Sequence, residues 1–355
     1  MFSAREYGSA VAHVRGMKSH LLTTENYETL LKTEGIQGVL QTLRGTFYAS
    51  QTEALAGKKF DMIMFEKQLW KDFDDVYRRV LSYASEAARN FLTCDYNRYE
   101  AECLKAIFRT VYGGMPLDEA LPQMVPVGRF TLEFCANLLK EAIPRKILEK
   151  AVENMALRQE LIRALPKSEK EGTPLPIEIA LDNFYYTELW GGIKRLEQLE
   201  RPAVKRVIGT EIDVNNINIV LRAKLTGLPP SAINDLLIPI SFRLDAELSK
   251  SVHASTVWEA LKILASGTYG KILRELIAVC EQKNSVFLAE MALKRLLATE
   301  NLATFMGYPF QVGILLAYLN LKFYETKDLR AVLIGKFNDI SAERIAELLV
   351  LYGLV

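Results

Sequence analysis

The sequence predicts an all-α protein. Apolar residues recur at three- and four-residue steps among Ala, Leu, Glu, Lys and Arg, alternating strand-like runs are scarce, and one helical signature returns three times along the chain. Half of the 355 residues are hydrophobic and a quarter are charged, which is the balance of a folded chain with a large core rather than a disordered one.

The clearest element runs from Asp213 to Gly227, with Asp213 read as its N-cap and Gly227 as its stop. Its apolar face is Ile217, Val220, Leu221 and Leu225, a single helical stripe. The same offsets counted from Glu100 give Leu104, Ile107, Phe108 and Tyr112, with Gly114 in the place of Gly227. Counted from Glu325 they give Leu329, Val332, Leu333 and Phe337, followed by Asn338 and Asp339. These starts lie 113 and 112 residues apart.

One recurring amphipathic stripe proves little, since any helical bundle supplies many. A second marker decides the matter: Glu66-x-x-Leu69, Glu178-x-x-Leu181 and Glu290-x-x-Leu293 are spaced by 112 both times, and each precedes the first marker by 34 or 35 residues. A weaker echo joins Val39–Tyr48 to Ala260–Tyr269, and its middle copy has drifted beyond placement. Turn-rich stretches, Gly113 to Gly128 and Leu228 to Pro239, each with three prolines, then divide the chain into repeats at 1–122, 123–238 and 239–355. A charged loop is expected at Lys167–Pro174 inside the second repeat.

Composition excludes several functions. Lys plus Arg number 44 against 43 for Asp plus Glu, so no global field favours nucleic acid or an anionic membrane. Cys94, Cys103, Cys135 and Cys280 have neither the paired spacing of a zinc site nor the density of a disulfide framework, and read as reduced, mostly buried thiols of a cytoplasmic protein. Arg5 and Glu6 interrupt the N-terminus before any signal-like apolar run forms. The longest apolar stretch, Phe310 to Leu321, is shorter than the roughly 20 residues of a membrane helix.

No catalytic, metal or cofactor site is expected. His13, His20 and His253 lack a second metal-type ligand at helical spacing and any nearby nucleophile motif. The doublets Gly113-Gly114 and Gly191-Gly192 lack the flanking pattern of a phosphate loop. The cluster Asp72, Asp74 and Asp75 lacks the spacing and the partner box of a magnesium-diphosphate enzyme, and reads as a solvated face with the pair Asp74–Arg78. Carboxylates reused in each repeat, Glu66, Glu178, Glu290, Glu100, Asp213 and Glu325, read as caps and inter-helix ties. Arg109 and Arg222 occupy equivalent positions, as do Lys224 and Lys336. They are either ordinary helix flanks or cations gathered to meet a partner's acidic helix end.

At this point the residues resemble a known family, the C subunit of the archaeal and bacterial A/V-type rotary ATPases, related to the d subunit of the eukaryotic vacuolar enzyme. The likeness rests on Tyr7 through Leu31, on Tyr99–Arg109, on Asp213–Gly227, and on Pro309–Gly313 through Leu319–Glu325, in the family's order over nearly the whole chain. Departures are Cys103 where Asn216 stands in the second repeat, and Gly335 at the position of Ala223. The resemblance implies three pseudo-equivalent helical domains around a pseudo-threefold axis, forming a funnel or cone on the cytoplasmic side of the membrane. This socket would sit on the ring of proteolipid subunits, take the D and F subunits of the central stalk, and transmit torque without catalysing a reaction. Arg109, Arg222, Lys224 and Lys336 are then its candidate stalk-facing residues. An unrelated helical scaffold and an all-α magnesium-dependent diphosphate enzyme are the competing readings.

Overall fold

A computed structural model describes residues 2–53, 61–121, 124 and 126–355, and among them the chain is all-α, with a lone β-bridge between Val127 and Phe130. It divides into two compact units, residues 1–49 with 196–355, and residues 50–195. The expected repeat boundary at 122/123 lies outside the described residues.

The first unit begins with α1 (Phe2–Lys18), α2 (Thr24–Lys32) and α3 (Gly35–Arg44); α4 (Ala49–Glu53) carries the chain onward. The second unit holds α5 (Met62–Tyr83), α6 (Glu86–Gly113), α7 (Leu117–Ala120), α8 (Leu132–Glu141), α9 (Pro144–Ala151), α10 (Met155–Glu171) and α11 (Leu175–Gly192). The first unit resumes with α12 (Arg201–Leu225), α13 (Pro230–Leu236), α14 (Asp245–His253), α15 (Val257–Leu264), α16 (Gly270–Leu273), α17 (Ile277–Gln282), α18 (Phe287–Thr304), α19 (Val312–Phe337) and α20 (Ala342–Leu348).

The three predicted stripes lie on α6, α12 and α19, and all three helices stop in the same way. Gly114, Gly227 and Asp339 have φ of +63°, +73° and +52°. One residue further on, the N–H of Met115, Leu228 and Ile340 reaches back to the carbonyl of Thr110, Ala223 and Gly335 at 3.1, 3.0 and 2.8 Å. This left-handed stop with a six-to-one bond satisfies carbonyls that a helix end otherwise leaves bare.

The other ends of these helices depart from expectation. Asp213 is not a cap: α12 starts twelve residues earlier at Arg201, with a proline in its first turn, and Asp213 lies buried mid-helix. Glu100 and Glu325 likewise sit inside α6 and α19 rather than at their starts. The N-terminal signal of α12 is therefore Pro202, whose missing N–H costs nothing in a first turn. The stripe also ends sooner than predicted. Leu104, Ile107, Phe108, Ile217, Val220, Leu221, Leu329, Val332 and Leu333 are buried, but Leu225 is 43% and Phe337 59% exposed. At 3.6 residues per turn, the last position has rotated about 90° away from the centre of the buried face.

The expected loop at Lys167–Pro174 is mostly helix, since α10 runs through Pro166 to Glu171 and stops at Gly172 with φ +64°. Lys and Glu are good helix formers, and only the last three residues of that stretch turn. Gly335 has a packing reason: a Cβ there would meet Ile345 Cγ1 at 2.5 Å, so α20 lies where the side chain of Ala223 has room.

In the first unit a continuous apolar cluster joins α12, α14, α15 and α18, with Ile217, Val220, Leu221, Leu261 and Leu293 at its centre. In the second unit α5 and α6 meet through aromatic rings, Phe73 on Tyr99 at 4.9 Å and Tyr77 on Tyr96 at 4.7 Å. Asp95 is fully buried beneath them and accepts the hydroxyls of Tyr77 and Tyr185 at 2.8 and 3.2 Å. The substitution Leu221→Ala, at a fully buried position, is expected to destabilise the chain by roughly 2–5 kcal/mol, read from the denaturant unfolding midpoint.

Candidate interaction surface

The four candidate cations are placed by the C-terminal halves of the long helices. Arg109 on α6 grips Glu178 on α11 with two parallel bonds, Nε to Oε1 at 2.7 Å and Nη2 to Oε2 at 2.8 Å. Arg222 on α12 repeats this with Glu290 on α18, at 2.6 and 2.8 Å. The fork of a guanidinium matches a carboxylate edge on, which fixes direction as well as distance. Hydrogen bonding to these carboxylates raises both guanidinium pKa values. The arginine side chains stay 55% and 65% exposed while their glutamates are only 14% and 9% exposed, so each tie presents its cationic face outward.

Both lysines close short helices. Lys224 Nζ donates to the carbonyl of Ala254, the C-cap of α14, at 2.6 Å. Lys336 Nζ donates to the carbonyls of Leu31 and Thr33, at the end of α2, at 2.7 Å each. A cation there meets carbonyls left open by the helix and the negative end of its dipole. The structure thus brings each of the four onto a partner within its own unit.

The Glu-x-x-Leu marker makes the acids paired with the arginines visible in the sequence, but it does not reveal what they pair with. The available signal is a fixed separation, 69 residues from Arg109 to Glu178 and 68 from Arg222 to Glu290. The mid-helix acids form a second set of ties. Asp213 accepts the N–H groups of Phe242 and Arg243 at 2.9 and 2.8 Å and the hydroxyl of Tyr269 at 2.7 Å. Glu325 accepts the N–H of Leu22 at 2.5 Å and the hydroxyl of Tyr48 at 2.6 Å, and Lys322 donates to both Tyr48 and Glu325. Glu100 accepts the backbone N–H of Arg129 at 3.3 Å and forms an ion pair with its guanidinium, Nε to Oε2 at 3.2 Å.

One turn after these acids the wiring repeats again. Asn216 accepts the N–H of Ile238 at 2.9 Å and donates to the carbonyls of Ile238 and Ile240. Asp328 accepts the N–H groups of Val350 and Leu351 at 2.8 Å each. Burial pushes the Asp328 carboxyl up to about 7 against the opposing pull of those two N–H groups.

The carboxylates of the Asp72–Asp75 cluster are paired within the chain. Asp72 accepts from Gln51, Asp74 from Arg78 at 2.8 Å as predicted and also from Tyr96, and Asp75 from Lys71. His13 contacts the carbonyl of Ser9, and His20 stacks on Phe47. Among the described residues no cluster of His, Cys, Asp and Glu is arranged to hold a metal, and no helix is long and apolar enough to cross a membrane.

Fold and ties together define an all-α chain whose charges bind its own helices to one another. Its relatives give the particular kind. The chain belongs to the ATP synthase (C/AC39) subunit family, whose model matches residues 10–348. It is 23% identical to the A-type ATP synthase C subunit of Methanocaldococcus jannaschii, over 97% of this chain and 86% of that one. The corresponding proteins of Methanosarcina acetivorans and Pyrococcus horikoshii are 26% and 23% identical, each over 97% of this chain and over 92% and 90% of their own lengths.

Two outcomes test this wiring. A double-mutant cycle on Arg222→Ala and Glu290→Ala is expected to show a coupling of about 1 kcal/mol that shrinks in high salt, because the arginine faces solvent. For Asp328, the folded pKa exceeds the ordinary carboxylate value, so the folded state holds a proton that the unfolded chain has released. Its stabilising contribution is full below about pH 4 and is lost as pH rises to about 7. Unfolding midpoints between pH 4 and 8 are expected to fall less steeply in Asp328→Asn than in the parent.

Proposed function

We propose that this chain is a non-catalytic central-rotor adaptor of an A/V-type ATP synthase. It links the D and F subunits of the central stalk to the membrane ring of proteolipid subunits on the cytoplasmic side, and passes torque between ATP chemistry and ion movement. The three modules, 1–122, 123–238 and 239–355, are arranged on this reading around a pseudo-threefold axis as a funnel or cone. Membership of the ATP synthase (C/AC39) subunit family is the observation that carries it.

The repeated ties support it. A part that transmits torque has to resist shear between helices, and close-packed interiors with directional cross-links deform little. Arg109–Glu178 and Arg222–Glu290 are such links, each joining a long helix to the helix that carries the second marker. Their outward faces suit Arg109 and Arg222 to meet acidic groups of the stalk, while Lys224 and Lys336 hold the short helices beneath.

Co-expression with the D and F subunits tests the adaptor reading. The parent chain is expected to co-purify with them, and the double reversal Arg109→Glu with Arg222→Glu is expected to weaken the complex, with a salt dependence that the parent shows and the variant lacks. Failure of the parent to associate with either stalk or ring under these conditions would rule the reading out.

A further inference from the structure

In the second unit a cavity of about 500 Å³ opens between α6, α10, α11 and the turn at Val127–Phe130. Asn97, Glu100, Leu157, Phe184, Glu188 and Arg195 are among its walls. The equivalent place on α12 is filled. There Tyr269 leaves the end of the short-helix pair, stands beside Thr210 and donates to Asp213 at 2.7 Å. On α19 Tyr48 does the same for Glu325 at 2.6 Å. Thr210 and Asp213 correspond to Asn97 and Glu100, which line the cavity.

The second unit has no such tyrosine. The stretch where it would stand, Val152 to Leu157, forms one wall of the cavity, and no aromatic residue occurs from 152 to 183. The α12 cation has no counterpart either. In the first unit Glu300 on α18 pairs with Arg206 on α12 at 3.0 Å. The corresponding residues here are Glu188 and Thr93, both lining the cavity, and Glu188 forms no ion pair among the described residues, with Arg195 or any other cation. The cavity therefore lacks two things that its relative within the chain contains, a phenol ring over the mid-helix acid and a guanidinium on the acid of the neighbouring helix.

We propose that this cavity receives a tyrosine and an adjoining basic side chain from a partner protein. The ring fills the apolar space over Leu157 and Phe184, and the cation pairs with Glu188. Charge complementarity selects the occupant: three carboxylates, Glu100, Glu153 and Glu188, line the space against two guanidiniums, Arg129 and Arg195, and Arg129 is already taken by Glu100 and Glu153, so the net negative lining attracts a cationic group carried next to an aromatic one. Volume agrees, because a tyrosine and an arginine side chain together fit within the space available.

The test uses the isolated full chain and N-acetyl-tyrosyl-arginine amide in isothermal titration, so its outcome does not depend on assembly with stalk or ring. One saturable site is expected. Glu188→Gln, an exposed position that leaves the fold intact, is expected to weaken binding about fivefold. Thr93→Arg, which supplies the missing partner of Glu188 from within the chain, is expected to weaken it as much or more. Absence of saturable binding at millimolar peptide, or binding that both variants leave unchanged, overturns the proposal. Tyramine binding more tightly than the peptide overturns the protein source in favour of a free aromatic amine.

Discussion

The structure depends on a carboxylate placed in the middle of each long helix. Asp213 and Glu325 are fully buried, and an ionised carboxylate in that setting is tolerable only when its lone pairs are taken up. The helix backbone cannot supply the donors, because its own N–H groups are already bonded, and only on α19 does a side chain of the same helix, Lys322, add one. The donors come from elsewhere: Phe242 and Arg243 for Asp213, Leu22 for Glu325, Arg129 for Glu100. Each acid thus dictates that a particular backbone segment return to the same point on its helix. The short-helix pair that follows the segment is carried into place, and the lysine at the helix end then holds the far side of that pair in two of the three copies.

That dependence explains what is legible in the sequence. The apolar face at Leu104, Leu221 and Leu333 and the stops at Gly114, Gly227 and Asp339 follow from local rules of helix geometry, and the structure contains them. The mid-helix acids look like helix starts because a carboxylate before an apolar stripe has the appearance of an N-cap, whereas only long-range donors reveal its role. Leu225 and Phe337 look buried because periodicity reports which face a residue shares but not where the neighbouring helix ends. The bidentate arginines are recognisable as equivalent residues, while their partners lie nearly seventy residues away and belong to the other marker.

Divergence between the copies is as informative as likeness. One turn past each acid stand Cys103, Asn216 and Asp328, and the last two hold backbone N–H groups of the chain that follows the next short helix. Asn216 does this without charge, using its amide to donate as well as accept. Asp328 has only acceptors when ionised, so its two N–H bonds come with a buried charge beside Glu325, and its carboxyl moves to about 7. The same geometric task is therefore pH-independent on α12 and proton-linked on α19.

The order of the wiring along the chain also constrains how the first unit assembles. Asp213 finds its backbone donors 29 and 30 residues away and its tyrosine 56 away. Glu325 finds its donors at separations of 303 and 277, because the short-helix pair serving α19 is the one at the beginning of the chain, α2 and α3. Closing a loop costs entropy that grows only slowly with its length, so the α19 ties are thermodynamically acceptable. Kinetically they are non-local contacts and come late. During synthesis α1 to α3 emerge with their apolar faces uncovered, and they gain their native partners only once α19 exists. The α12 acid, with donors no more than 56 residues away, is satisfied early, and both ends of the sequence are fastened later through α19, at Glu325 and Asp328, and to each other where Thr24 donates to the carbonyl of Val355 at 3.0 Å.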